Sequence, residues 1–324
     1  MSELPAAPQL RRIERASYRC WDMLVPLVPL TVYSCVYYGW RPLWVMLFSI
    51  GSAVLCEVLG YAVRMQKAPL SDGTAVVTGG IIGLTMSPIA PYWLPVIASA
   101  LAIWLVKLPF GGRGRNLFNP AAAGIAFLTV CFPKQLFTYP DPEQYLADNL
   151  LTASSPALLL RNGAVPDYDA MDVVLSNIPG PIGSVLIILA ACILYLLVRR
   201  ASSGLVVLPF LSTCALWAIL FPRVEAGAGT SVLLELCAGY LMLTATYFIA
   251  DPVTAPRHPL ARVCYGVLAG ALVMLLRRYG AYEEGACFAV LLVNTLSDAL
   301  DRGCWWVCYR LRKLWDARKG GVTA

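Results

Sequence analysis

Gly111-Gly112-Arg113-Gly114-Arg115-Asn116-Leu117-Phe118-Asn119-Pro120 lies directly between two membrane-length apolar segments, and its reading decides the fold. Glycine-rich backbone inside a lipid core leaves N–H and C=O groups without partners, so such a stretch has to meet protein or a polar cavity. Two side-chain amides, Asn116 and Asn119, come with it. A second break, Asp251-Pro252-Val253-Thr254-Ala255-Pro256, sits in the other half of the chain. Composition agrees with a membrane setting: 59% of the 324 residues are hydrophobic and 14% are charged, against roughly 25% charged in soluble domains. The expected class is an all-α polytopic membrane protein.

A helix crosses a hydrocarbon core of about 30 Å with about 20 residues, somewhat fewer when broken or re-entrant. Apolar runs of that order fall near 23–40, 43–63, 74–90, 92–108, 120–133, 181–198, 204–221, 232–250, 260–276 and 284–301. These predict ten transmembrane helices. The third and fifth are short and rich in Gly and Ala, which suits close packing inside a bundle. With the N-terminus in the cytoplasm, only Arg41, Lys134, Arg161, Arg223, Arg277 and Arg278 of the 25 Lys and Arg residues fall outside. The positive-inside rule therefore places both termini in the cytoplasm. The net charge of +6 is spread over inner loops and the tail, and calls for no nucleic-acid partner. The basic stretch from Arg11 to Arg19 precedes an apolar run too long for a signal peptide, and no small-residue cleavage site ends it.

This divides the chain into a first five-helix membrane half, 1–133, an extracytoplasmic loop, 134–180, a second five-helix half, 181–301, and a basic cytoplasmic tail, 302–324. An odd number of spans per half makes the second half enter from the opposite face. Two inverted five-helix repeats result, with the two polar breaks meeting near the bundle axis, where such folds place ligand sites.

Eleven cysteines form no framework: most are scattered singly through apolar segments, with no CxxC and one histidine in the chain. They read as small apolar residues. Cys304 and Cys308 are four apart on one helix face, but two thiols alone make no zinc or iron–sulfur site, and no metal is expected. Gly112-x-Gly114 is followed by Leu117 and preceded by no strand, so this is not a dinucleotide-binding loop. A dinucleotide is therefore not expected to bind this chain; NADH, if used, would be bound by another protein.

Acidic residues within or beside the spans carry the remaining chemistry. Glu57 lies deep in the second run, where a carboxylate must be paired, protonated or beside water. It reads either as an ion-coupling group or as a residue that reaches the headgroups or nearby Arg64. Asp251, at the inner end of the eighth run, caps the following turn or contacts a cofactor or moving cation. Glu235 reads as interfacial. Asn119-Pro120 reads as a helix start, with Pro at the first position. An amide also donates and accepts, so Asn116, Asn119 and Thr254 are expected to line a buried polar pocket. The loop 134–180 holds Asp141, Glu143, Asp148, Asp167, Asp169 and Asp172 against two bases, and a hydroxyl cluster, Thr152-Ala153-Ser154-Ser155-Pro156. On its own that cluster reads as a helix cap, with Thr152 or Ser154 at the start of a helix through Leu160.

Four motifs, in order and in register, point to a known family. Asp72-Gly73-Thr74-Ala75-Val76-Val77-Thr78-Gly79, the Gly111–Pro120 loop with Ala121-Ala122-Ala123-Gly124, Asn177-Ile178-Pro179-Gly180-Pro181-Ile182-Gly183, and Ala250-Asp251-Pro252-Val253-Thr254 resemble the D subunits of Rnf electron-transport complexes. They are similar also to the B subunits of the sodium-pumping NADH:quinone oxidoreductases. The resemblance implies a flavin-carrying translocase subunit of the bacterial inner membrane. It would work with the other subunits of an Rnf-type complex, coupling electron transfer of the ferredoxin/NAD type to Na+ or H+ movement. It further implies FMN joined through its phosphate to an outer-loop hydroxyl, and a non-covalent riboflavin among the helices. Aligned on the following proline, Ser155 takes the acceptor position and Thr152 the first hydroxyl; counted from Asp148, Ser154 does. Here Ala153 replaces the family's glycine, and Ser184 stands where the family has a glutamate. The residues alone leave a second class open, a small-solute or ion transporter of similar inverted architecture without a redox centre.

Overall fold

The computed structural model describes residues 20–65, 72–112, 116–141, 152–225 and 227–320. Arg11 to Arg19, Lys67, Arg113, Arg115, Glu143 and Asp148 lie outside the described residues. The described residues are mostly helical, with one two-stranded ribbon among them. In order come α1 (Cys20–Tyr38), α2 (Arg41–Val63), α3 (Thr74–Thr85), α4 (Trp93–Lys107), α5 (Pro120–Cys131) and the short α6 (Pro133–Leu136). Then β1 (Tyr139–Pro140) pairs antiparallel with β2 (Thr152–Ala153), followed by short helices α7 (Pro156–Arg161) and α8 (Ala170–Leu175). The second half holds α9 (Leu186–Val198), α10 (Gly204–Leu220), α11 (Ala228–Cys237), α12 (Leu241–Phe248), α13 (Pro259–Tyr279) and α14 (Ala286–Gly320).

Each of the ten apolar runs contains a helix, but their lengths differ from the expectation. Among the described residues three, α1, α2 and α13, are long and apolar enough to cross a membrane, and α11 with α12 makes a fourth only if that pair, bent by 68°, counts as one span. At α3 the shortening has a local cause. The chain turns at Ser87-Pro88, and the amides of Ile182 and Gly183 donate to the carbonyls of Met86 and Leu84, 2.9 and 2.8 Å away. Carbonyls at the end of that helix thus find partners in a loop rather than in a further turn.

Burial sorts the helices into two layers. Nearly every residue of α3 and most of α5 is buried. Gly79 shows why α3 can sit so deep: a Cβ there would stand 2.7 Å from the Cα of Ile50, so only hydrogen allows α3 to approach the α2 backbone this closely. By contrast α2 turns Trp44, Leu47, Phe48, Leu55 and Leu59 outward, and α10 does the same with Leu205, Leu208, Leu216 and Ile219. Such a belt of exposed apolar side chains suits lipid rather than water. One core runs through both halves, joining Ile82 and Leu84 of α3 to Leu243, Tyr247 and Phe248 of α12.

Candidate functional site

Both polar breaks come after a wide turn. The last six residues of α4, Ala102–Lys107, and the last five of α12, Thr244–Phe248, are π-helical. Leu108 N donates to Ile103 O and Ile249 N to Thr244 O, each at 2.9 Å across five residues. A π turn inserts one residue and rotates the side chains beyond it, and such turns concentrate at functional sites.

At the first break the rotation brings Lys107 inward. Its Nζ lies 2.5 Å from Glu57 Oε1 and donates to Thr74 Oγ1 at 2.6 Å, and both charged side chains are buried. Thr74 in turn donates through N and Oγ1 to Asp72 Oδ1, at 3.1 and 2.9 Å. The sequence offered Arg64 as the partner of Glu57; instead Arg64 donates to the carbonyl of Leu108 at 2.8 Å. Glu57 Oε2 has no hydrogen-bond partner among the described residues.

Asn119 joins the two breaks. Its Oδ1 accepts from Ala122 N at 3.1 Å, capping α5 with Pro120 at the first helical position, while Nδ2 donates to Phe248 O at 3.2 Å. That carbonyl belongs to the π turn of the other half. The cap reading and the pocket reading of Asn119 are thus compatible, because one amide serves both.

Beside this bridge opens a narrow cleft of about 70 Å3, lined among others by Thr74, Lys107, Asn116, Asn119, Tyr247 and Asp251. Asn116 Oδ1 and the Tyr247 hydroxyl are buried and have no hydrogen-bond partner among the described residues. Buried polar atoms left so are costly unless something fills the space beside them. Asp251 Oδ1 accepts from Val253 N at 3.0 Å, and Thr254 Oγ1 lies 3.5 Å from Oδ2. Thr254, expected to line the pocket, stands one step back and supports Asp251. The orphaned amide and hydroxyl, the Lys107 ammonium and apolar walls thus line one cleft.

The hydroxyl cluster belongs to a separate region, the segment between the two membrane halves. Ser155, rather than Thr152 or Ser154, is the cap of α7: its Oγ accepts from Leu158 N at 3.1 Å and donates to Glu283 Oε2 at 2.6 Å. Ser155 is 3% exposed, whereas Thr152 and Ser154 are exposed. Ser184 Oγ donates to Pro181 O within its own turn, at 2.8 Å. Glu235 is buried and takes both Nε and NH2 of Arg223, at 2.5 and 2.7 Å.

Sequence reading also missed Lys107, Arg277, Glu283 and Glu284. Arg277 is 1% exposed and donates to Glu284 through NH2 and Nε at 2.5 and 3.2 Å, and to the carbonyls of Glu235 and Ala238 at 2.7 Å each. Gly239 makes room for this: its φ is +59°, and a Cβ there would lie 1.8 Å from Glu284 Oε1. The available signal was the pair Glu283-Glu284 in a short turn soon after Arg277, which marks charge but not depth.

Known proteins share these features of sequence over nearly the whole chain. Residues 4–305 match the family model described as the NQR2, RnfD, RnfE family. A curated relative, the D subunit of the ion-translocating oxidoreductase complex of Halorhodospira halophila, is 29% identical, over 93% of each chain. The proteins of the same description from Stutzerimonas stutzeri and Cronobacter sakazakii are 31% and 30% identical, covering 86% of this chain and 87% and 91% of theirs.

Proposed function

The chain belongs to the NQR2, RnfD, RnfE family, and from that premise we propose that it is the flavin-carrying membrane subunit of a multisubunit oxidoreductase that couples electron transfer, of the ferredoxin/NAD type, to Na+ or H+ movement. Membership of an ion-translocating oxidoreductase complex follows from the relatives. The observation that carries the flavin reading is the cleft between the two breaks, where Asn116 Oδ1 and the Tyr247 hydroxyl lack partners among the described residues beside a buried ammonium.

Asn116, Tyr247 and Lys107 would hold the edge of a non-covalent riboflavin, with Asn119 fixing the floor and Thr254 steadying Asp251. A bound isoalloxazine supplies the one- and two-electron chemistry, and the protein's part is to orient it and set its electrostatics. Lys107 brings an ammonium paired with Glu57 at the edge of the cleft. For covalent FMN, the exposed hydroxyls of Ser154 and Thr152 support attachment there ahead of Ser155, whose Oγ is buried in a cap and a carboxyl contact. Glu57 and Asp251 are the ion-coupling candidates; each is a carboxyl beside the cleft or its floor. Ten membrane helices, the short third and fifth held inside the bundle by their neighbours, cytoplasmic termini and two inverted repeats in a bacterial inner membrane complete the reading. The charge distribution and the meeting of the two breaks at Asn119 and Phe248 support it.

The test is direct. The purified protein should show a flavin absorbance spectrum, and the denatured, gel-separated chain should fluoresce and gain the mass of one FMN less water. Ser154→Ala should remove the adduct while Ser155→Ala keeps it. A colourless protein with no adduct would instead favour a transporter without a redox centre.

A further inference from the structure

Five ionisable side chains lie together beneath the β1–α7 segment. Arg223 and Arg277 bind Glu235 and Glu284, so two guanidiniums meet two carboxylates with their donors committed. Glu283 is the fifth. It is 4% exposed, its Oε2 accepts from Ser155, and its Oε1 has no hydrogen-bond partner among the described residues. The charged and titratable groups that face it are Glu284 in the same turn, Arg277 of α13, the half-buried Arg161 of α7 and the phenol of Tyr139 in β1. Arg277 is already shared between Glu284 and Glu235, and Arg161 makes no ion pair among the described residues. The buried cluster therefore holds one carboxyl more than its buried guanidiniums neutralise.

We propose that Glu283 is a proton-dependent latch: it carries the proton that balances this cluster, and in that form it seats Ser155, and with it the start of α7, on the turn between α13 and α14. When the proton leaves to water, a bare carboxylate remains beside Glu284 with one oxygen unpartnered, and burial of such a charge is unfavourable. The side chain then turns to solvent and withdraws its contact from Ser155. The cap loosens, and a hydroxyl hidden in the seated state becomes reachable. Thr152 and Ser154 are exposed already, so the latch would decide the availability of Ser155 alone. This holds whether or not a cofactor is attached to the segment.

Burial pushes the Glu283 carboxyl up to about 7, with Glu284 adding to the rise and the Ser155 hydrogen bond, Arg161 and Arg277 opposing it. A carboxyl raised on folding stabilises the seated form below its ordinary range. That contribution is lost as pH rises through about 7.

The experiment is infrared pH-difference spectroscopy on the full-length protein in lipid vesicles, alongside hydrogen exchange of the amides from Leu158 to Asn162. In the parent a protonated-carboxyl C=O band should disappear as pH rises through about 7, and exchange should quicken between about 4.5 and about 7, by up to about tenfold per pH unit beyond its intrinsic rise, and level off above. Glu283→Gln should lack the band and keep the parent's slow, low-pH exchange throughout. Ser155→Ala, which leaves the carboxyl and removes its donor, should retain the band at a higher frequency, and it serves as the test if the Gln variant does not fold. A parent without the titrating band, a band unmoved in Ser155→Ala, or equal pH-dependent exchange in Glu283→Gln would each overturn the proposal.

Discussion

The two buried charge clusters of this protein are built on different rules. Around Arg277 the guanidiniums are saturated: that of Arg277 is tied to one carboxylate through two nitrogens and to two backbone carbonyls, and Arg223 grips Glu235 in the same two-pronged way. Around Lys107 they are not. A single ammonium meets one oxygen of Glu57 and a threonine hydroxyl, and oxygens of Asn116 and Tyr247 with no partner among the described residues face the adjoining cleft. A planar guanidinium fixes geometry, whereas an ammonium is a point charge that can change partners. The first cluster fastens helices together; the second leaves room for a ligand and for rearrangement.

The contrast is broken most severely by removing the shared guanidinium. Arg277→Gln strands Glu284 and weakens the hold on Glu235, and losing one partner of a buried pair costs about 3–5 kcal/mol. Thermal unfolding in detergent should show a large loss, with little folded protein recovered. A variant as stable as the parent would remove the distinction between fastening and functional clusters.

The Glu57–Lys107 pair sharpens the comparison. Glu57→Gln alone leaves a buried ammonium and Lys107→Met alone a buried carboxylate, so each single change should destabilise by a few kcal/mol, whereas the double change should recover most of that. The recovered double variant then separates folding from transport. Its ion-to-electron ratio, measured in vesicles holding the whole complex, should fall below the parent's. A parental ratio would assign coupling elsewhere, with Asp251 next.

Smallest in stability, and most informative about the cleft, are the two amides. Asn119→Ala loses a helix cap and the bridge to Phe248, about 1–2 kcal/mol together. Asn116→Ala removes an oxygen that no described protein group satisfies, so stability should stay level or rise slightly while non-covalent flavin content falls. Unchanged flavin in Asn116→Ala would take that residue out of the pocket.

Much of this was legible in the sequence, and the rest was hidden for identifiable reasons. Helix positions follow from apolar runs bounded by Gly and Pro, and the Asn119-Pro120 start is a local signal that the structure keeps. Lys107 reads as an inner-loop cation because an ordinary α turn would leave it there; the π turn moves it by one residue's rotation. Glu235 reads as interfacial because its partners are Arg223 and Arg277, 12 and 42 residues away, and no local pattern links them. Ser155 was recognisable as a hydroxyl beside a proline, but its contact with Glu283 spans 128 residues. Chain pattern reveals elements and caps. It does not reveal which charges share a cavity.

The depth of α3 bears on how the protein is made. With twelve residues, α3 is about 18 Å long, and so is α5; neither reaches across a core of about 30 Å. A nascent segment of that length has no stable resting place in lipid alone. During synthesis α3 therefore has to be admitted together with α2, against whose backbone Gly79 already lies, and α5 has to follow once α4 is present to receive it. Insertion would proceed by helical groups rather than one span at a time, and a chain cut after residue 131 would have a first half whose two innermost helices depend on their neighbours to remain in the membrane.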